Sequence, residues 1–140
     1  MAKKKILTLD DDFDFLLAGI SSPLKDYRLC WAVNRELNLT LERTEDLEIF
    51  PSARSEGNSF SFYTFDDPED HVTYHIVCNR NAKGMLVPEA KQADYFLMVK
   101  GHMPEKRFRE IIGKLKQIAN VQMAFQLDPN ELKSAQNLLI

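Results

Sequence analysis

Gly84-Met85-Leu86-Val87-Pro88-Glu89-Ala90-Lys91-Gln92-Ala93-Asp94-Tyr95-Phe96-Leu97-Met98-Val99-Lys100-Gly101 is the stretch whose reading decides the fold. Its second half, Tyr95-Phe96-Leu97-Met98-Val99, is an unbroken apolar run. The run is too short for a typical helix. Closed by Lys100-Gly101, it predicts a strand covered on both faces. Ahead of it, Pro88 suits the first position of a helical turn, where a missing N–H costs nothing. The segment 87–92 is therefore expected to be a short turn of helix feeding a central strand.

Two acids, Glu89 and Asp94, flank that junction. They are candidates for a general acid/base pair, which requires a pocket and a defined separation. The structural alternative places Glu89 at the positive end of the short helix and Asp94 as a hydrogen-bonding residue at the strand entry. Tyr95 beside them, Asn34 and His102 complete the set of candidate ligand-binding residues around a carboxylate-lined cleft.

Val87-Pro88-Glu89, three residues, then Ala93-Asp94-Tyr95 resembles the signature of the IPExxxVDY family of small bacterial proteins. Val87 stands where the family name has Ile, and Ala93 where it has Val. Both keep apolar character, and Ala93 leaves packing volume for a neighbour to fill. The resemblance extends along much of the chain, notably to Gly19-Ile20-Ser21-Ser22 and Leu24-Lys25-Asp26-Tyr27-Arg28-Leu29-Cys30-Trp31. It implies an identity and brings no catalytic residues with it.

A chain of 140 residues fits one domain and can bury a real core. Hydrophobic content of 44% with 28% charged residues is that of a soluble globular protein. No apolar run approaches the roughly 18 residues of a membrane span. The start, Met1-Ala2-Lys3-Lys4-Lys5, leads through Ile6-Leu7-Thr8-Leu9 into three aspartates, so no signal peptide is expected and the protein reads as cytoplasmic. A formal charge of −3 argues against non-specific nucleic-acid binding. Cys30 and Cys78 form no CxxC pattern, sit in apolar surroundings and read as reduced core residues. No cofactor is expected: glycine-rich phosphate loops and Cys/His clusters are absent from the sequence.

Taken in order, 3–9 predicts a first strand. The segment 13–20 fits either a helical stripe or a strand. Asp10-Asp11-Asp12 reads as a helix cap, with a divalent-metal site as the alternative. Ser22-Pro23 predicts a helix N-terminus. The helix is expected to run to Leu37, with Leu24, Tyr27, Cys30, Trp31, Val33 and Leu37 on its apolar face. Asn34 falls within that face, so its amide must either tie the helix to a neighbouring backbone or line a pocket. Arg28 and Arg35 are spaced to reach Trp31. Short extended segments are expected at 39–42 and 47–50, and an exposed loop at 51–58. Residues 59–65 and 71–78 predict an antiparallel hairpin, with His71 and His75 sharing its outer face, roughly 13 Å apart.

Pro104 opens a helix over 104–119. Its apolar stripe is Phe108, Ile111, Ile112, Leu115, Ile118 and Ala119, and a basic face carries Lys106, Arg107, Arg109, Lys114 and Lys116. Alternation predicts a strand over 121–127, which a crossover of that length allows to pair parallel with the 95–99 strand. Asp128-Pro129-Asn130-Glu131 predicts a last helix of two to three turns.

The sum is an α+β protein: a single domain with a mixed, largely antiparallel sheet packed against amphipathic helices. An open sheet edge offers a surface for a homodimer. The functional expectation is a non-enzymatic binding or protein-interaction module. The alternatives are an enzyme or small-ligand binder using the Glu89/Asp94 cleft, and nucleic-acid binding through the basic 104–119 helix.

Overall fold

The computed structural model describes residues 14–49 and 57–138. The expected strand at 3–9, the three aspartates and most of the 51–58 loop lie outside the described residues. The fold is α+β: two helices packed on a six-stranded antiparallel sheet, with small hairpins beside it. Its strands are β1 (Leu16–Ser21), β2 (Glu42–Arg43), β5 (Phe62–Asp67), β6 (Val72–Cys78), β9 (Tyr95–Gly101) and β10 (Met123–Leu127). The helices are α1 (Asp26–Leu37) and α2 (Glu105–Leu115). Two further hairpins join β3 (Leu47–Ile49) to β4 (Asn58–Phe60) and β7 (Arg80–Asn81) to β8 (Gly84–Met85).

Strand order across the sheet is β10-β1-β9-β6-β5-β2. The apolar run is the interior strand expected of it. β9 pairs with β6 from Tyr95↔Cys78 to Gly101↔Val72, and with β1 from Tyr95↔Ile20 to Val99↔Leu16. Its side chains alternate between two layers. Tyr95, Leu97 and Val99 join Ala18, Ile20, Tyr74 and Ile76 beneath the helices, against Leu29, Val33, Phe108 and Leu115. Phe96 and Met98 join Leu17 and Val77 on the other face. Among the described residues that second face carries no α-helix. It is covered by Phe60, by Leu86, Val87, Ala90 and Ala93 of a loop, and by Leu138 near the C-terminus.

Several expectations are corrected. Of segment 13–20, the described residues from Leu16 on are strand: Gly19 lies inside β1 opposite Phe125, whose ring sits where a Cβ would be, 2.8 Å away. The 121–127 strand does not pair with β9. β1 lies between them and is antiparallel to both, so β9 and β10 run in the same direction without touching. Every pairing in the sheet is antiparallel. Ala124, not Met123, is the buried residue at the start of β10. Segment 87–92 is no helix but two linked tight turns, closed by Ala90 N–H to Val87 O and Ala93 N–H to Ala90 O, both 3.1 Å. α2 ends at Leu115, and after it Ile118 is buried while Ala119 is exposed. The last segment forms 3-10 turns at Pro129–Glu131 and Ala135–Leu138. Asp128 caps the first of these by accepting from Asn130 N–H at 2.9 Å.

α1 begins at Asp26, later than Ser22-Pro23 implies. The Ser22 hydroxyl instead accepts from Leu24 N–H at 3.2 Å and donates to the Asn120 carbonyl at 2.7 Å. Asn38 closes the helix in the left-handed conformation, its N–H returning to the Asn34 carbonyl. The buried face is Leu29, Cys30 and Val33. Tyr27 and Trp31, expected on it, are turned to solvent.

His71 occupies the turn between β5 and β6, with φ 57°, rather than the strand face. His75 is in the strand and buried. It stacks on Phe62 at 4.9 Å between centroids, with Nδ1 3.0 Å from Thr64 Oγ1. Burial, reinforced by Lys100 and opposed by Asp66, lowers its pKa to about 4. The unfolded chain therefore binds a proton here between pH 6.5 and 4 that the folded protein does not. Stability is expected to be fully present above pH 6.5. As pH falls toward 4, a contribution on the order of 2 kcal/mol is lost. Urea unfolding across that range checks this, with a flatter pH dependence in His75→Gln.

Candidate functional site

The loop between β8 and β9 is built around Asn79, which is 0% exposed. Its side-chain amide donates toward the carbonyls of Ala93 at 2.8 Å, Ala90 at 3.2 Å and Val87 at 3.4 Å. Its side-chain oxygen accepts from Val87 N–H at 2.7 Å. Its backbone bonds Leu86 N–H and Asp94 O, both at 2.8 Å. One side chain thus satisfies the backbone of a loop that lacks a ladder of its own and lies buried over a sheet face, where unpaired carbonyls are costly. Nothing in the sequence around Asn79 marks it out beyond its place at the end of an alternating strand.

The two acids grip different segments. Glu89 takes the backbone N–H of Ser134 on Oε2 and its hydroxyl, at 2.9 Å, on Oε1. Partial burial pushes its pKa up, but the Ser134 bonds and Lys133 outweigh that and hold the carboxyl below its ordinary range. Asp94 accepts from Ser22 N–H on Oδ2 at 2.9 Å and from Arg80 Nε on Oδ1 at 2.7 Å. The same guanidinium reaches the Lys91 carbonyl. All four carboxylate oxygens are therefore engaged by groups of the protein.

Tyr95 is buried, and its hydroxyl donates to the Leu24 carbonyl at 2.5 Å. Burial raises its pKa, so it stays protonated. Asn34 ties α1 to the chain beyond it: its amide donates to Leu41 O at 3.1 Å and its oxygen accepts from Leu41 N–H at 2.8 Å. His102 is exposed at the end of β9. Among the five candidates, Asp94 and Tyr95 act together, both holding residues 22–24. Glu89 and Asn34 serve other segments. Cys30 is buried, its thiol pushed up to about 12 by burial and by Asp26. The Cys78 thiol donates to Arg80 O at 2.8 Å. Among the described residues no three His, Cys, Asp or Glu side chains are grouped to hold a metal ion. No helix there is long and apolar enough to cross a membrane.

What Asp94 and Tyr95 position is the wall of a groove. A cleft of about 430 Å³ runs between α1 and the chain after α2; its lining includes Leu24, Trp31 and residues 117–120, with Arg28 and Arg35 against one acid, Glu36. Leu24 is held by Tyr95, and Ser22 joins Asp94 to Asn120. Trp31 is 63% exposed and Tyr27 60%; with Met123 they are the large apolar side chains left open among the described residues. Arg35 lies over the indole, 5.5 Å from the ring centroid. Of the two arginines spaced to reach Trp31, Arg35 lies over the ring, and Arg28 lines the same groove. On the basic face of α2, Arg107 is paired with Asp70 at 2.6 Å.

No family model, curated protein or solved structure matches this chain.

Replacing Asn79 should loosen the whole loop. Asn79→Ala strands several buried groups, and Asn79→Asp sets a carboxylate against three carbonyls. Each is expected to cost roughly 3 kcal/mol in urea denaturation at neutral pH. A cost under about 1 kcal/mol would show that the loop holds without it.

Proposed function

We propose that this chain is a small non-enzymatic interaction module of the IPExxxVDY type. It works in the cytoplasm and docks a partner protein on the exposed face of α1. The observation that carries the reading is Trp31, open to solvent on a helix whose opposite face is fully buried. Tryptophan, tyrosine and arginine are the residues in which binding hot spots concentrate, and here they share one surface. An indole under a guanidinium and beside a groove gives a flat apolar anchor with positive charge around it. The partner segment that fits is an acidic one carrying an aliphatic or aromatic anchor for the groove.

The motif residues support this reading through their positions. Asp94 and Tyr95 hold the entry to α1 and, through Ser22, the loop after α2. They fix the groove walls relative to the sheet, while Glu89 secures the C-terminal segment on the far face.

The chain holds a single tryptophan, so its fluorescence reports on this surface alone. Wild type and Trp31→Ala, immobilised, are compared for proteins retained from lysate, and acidic segments of any retained partner are then titrated. The expected result is a blue shift of the Trp31 emission and at least roughly tenfold weaker binding in Trp31→Ala and Arg35→Glu. Trp31→Ala should unfold at the wild-type urea midpoint, since its side chain is exposed. A partner retained equally by Trp31→Ala would sink the reading. A blue shift given only by single-stranded oligonucleotides and lost with added salt would move the groove to nucleic-acid stacking.

A further inference from the structure

A second cleft, of about 440 Å³, opens where the end of α1, the β5–β6 turn and α2 meet. That volume falls within the range of small-molecule sites. Phe65 and Tyr74 line it, their rings within 17° of parallel and 6.1 Å apart. Tyr74 is 2% exposed, yet no group among the described residues hydrogen-bonds its hydroxyl. No fully buried side-chain polar atom among the described residues lacks a partner, so the unbonded Tyr74 oxygen keeps contact with solvent, at the cleft that the residue lines. The rest of the ring is buried, and its polar tip is left open for a ligand, unlike the Tyr95 hydroxyl, which is bonded within the fold.

Arg107 is the leading charge on that hydroxyl, with Asp67 and Asp70 acting against it, while the cleft as a whole is lined by more acids than bases. Asp67, Glu69, Asp70 and Glu110 line the cleft against Arg107 and Lys114. Asp70 is engaged by Arg107 at 2.6 Å, and Asp67 accepts from the Glu69 and Asp70 N–H groups within its own turn. Glu69 and Glu110 are exposed, with no ion pair to another described residue.

We propose that this cleft binds a small organic cation, a primary ammonium on a short apolar chain. The ammonium has three donors to place: the Tyr74 oxygen takes one, the Glu110 carboxylate a second, and the Phe65 ring face favours the charge itself. The apolar chain lies against Leu37, Leu39 and Ile111, which also line the cleft. The site shares no residue with the Trp31 groove, so either stands if the other fails.

The test is a titration of isotope-labelled full-length protein with n-butylammonium, followed by amide chemical shifts, with butyrate as the anionic control. The expected result is saturable shifts confined to residues 37–39, 65–74 and 107–114. Affinity falls roughly tenfold in Tyr74→Phe and in Glu110→Gln. Tyr74→Phe should melt with wild type, because the hydroxyl it loses has no partner within the fold. Three results overturn the proposal: absence of saturable shifts, equal affinity in wild type and both variants, or butyrate binding in place of the amine. A lower melting temperature for Tyr74→Phe would overturn it as well, by showing the hydroxyl engaged inside the protein.

Discussion

A loop without helix or strand packs on the second face of the sheet through Leu86, Val87, Ala90 and Ala93, and the backbone polar groups buried with them must be satisfied there. The Asn79 amide meets that requirement. A helix or strand pairs its own carbonyls; the two tight turns of 87–93 pair those of Val87 and Ala90 once each and leave that of Ala93 without a turn bond, and the Asn79 amide donates toward all three. With those groups paired, Leu86, Val87, Ala90 and Ala93 can seal Phe96 and Met98. Without them the loop would have to lift toward water, and the second core layer would open. The apolar alternation of β9 is thus one half of the design, and a single polar side chain permits the other half.

Asp94 and Tyr95 extend this frame toward the helical layer. Neighbouring residues point to opposite sides of the chain, and the structure uses both directions. Asp94 binds Ser22 and Arg80 at the sheet margin, while Tyr95 passes beneath the helices to Leu24. The entry to α1 is held at two points one residue from the sheet's central strand. The orientation of α1 decides which of its residues face out, so the exposure of Trp31 and Tyr27 follows from these anchors as much as from the helix itself. Glu89 makes the corresponding attachment for the C-terminal turns on the opposite face.

Much of the architecture was legible in the sequence because it rests on periodicity. The strand at 95–99 follows from an unbroken apolar run too short for a helix, and the aromatic hairpin and the apolar stripe of α2 follow from alternation at two and at 3.6 residues. Asn34 was readable as a tie to neighbouring backbone because an amide within a helical apolar face has to find partners. Three things escaped for identifiable reasons. Ser22-Pro23 carries the composition of a helix start, but the serine is taken by the Asn120 carbonyl, a contact far off in sequence. Pro88 fits a tight turn as well as a helix, and side-chain bonds from Asn79 select the turn. Tyr27 and Trp31 are apolar by type, and no wheel separates an anchor meant for a partner from one meant for the core. The groove and the Tyr74 cleft join segments distant in the chain, so their existence is a property of topology that local pattern does not encode.

The placement of β1 between β9 and β10 has a consequence for synthesis. Residues 16–21 leave the ribosome well before both of their ladder partners, 95–99 and 123–127. Until then an apolar strand waits with two unpaired edges, the condition under which nascent chains recruit chaperones or one another. Translation paused before residue 123 leaves one of those edges open, and contacts of such long sequence separation slow the closing step once it begins.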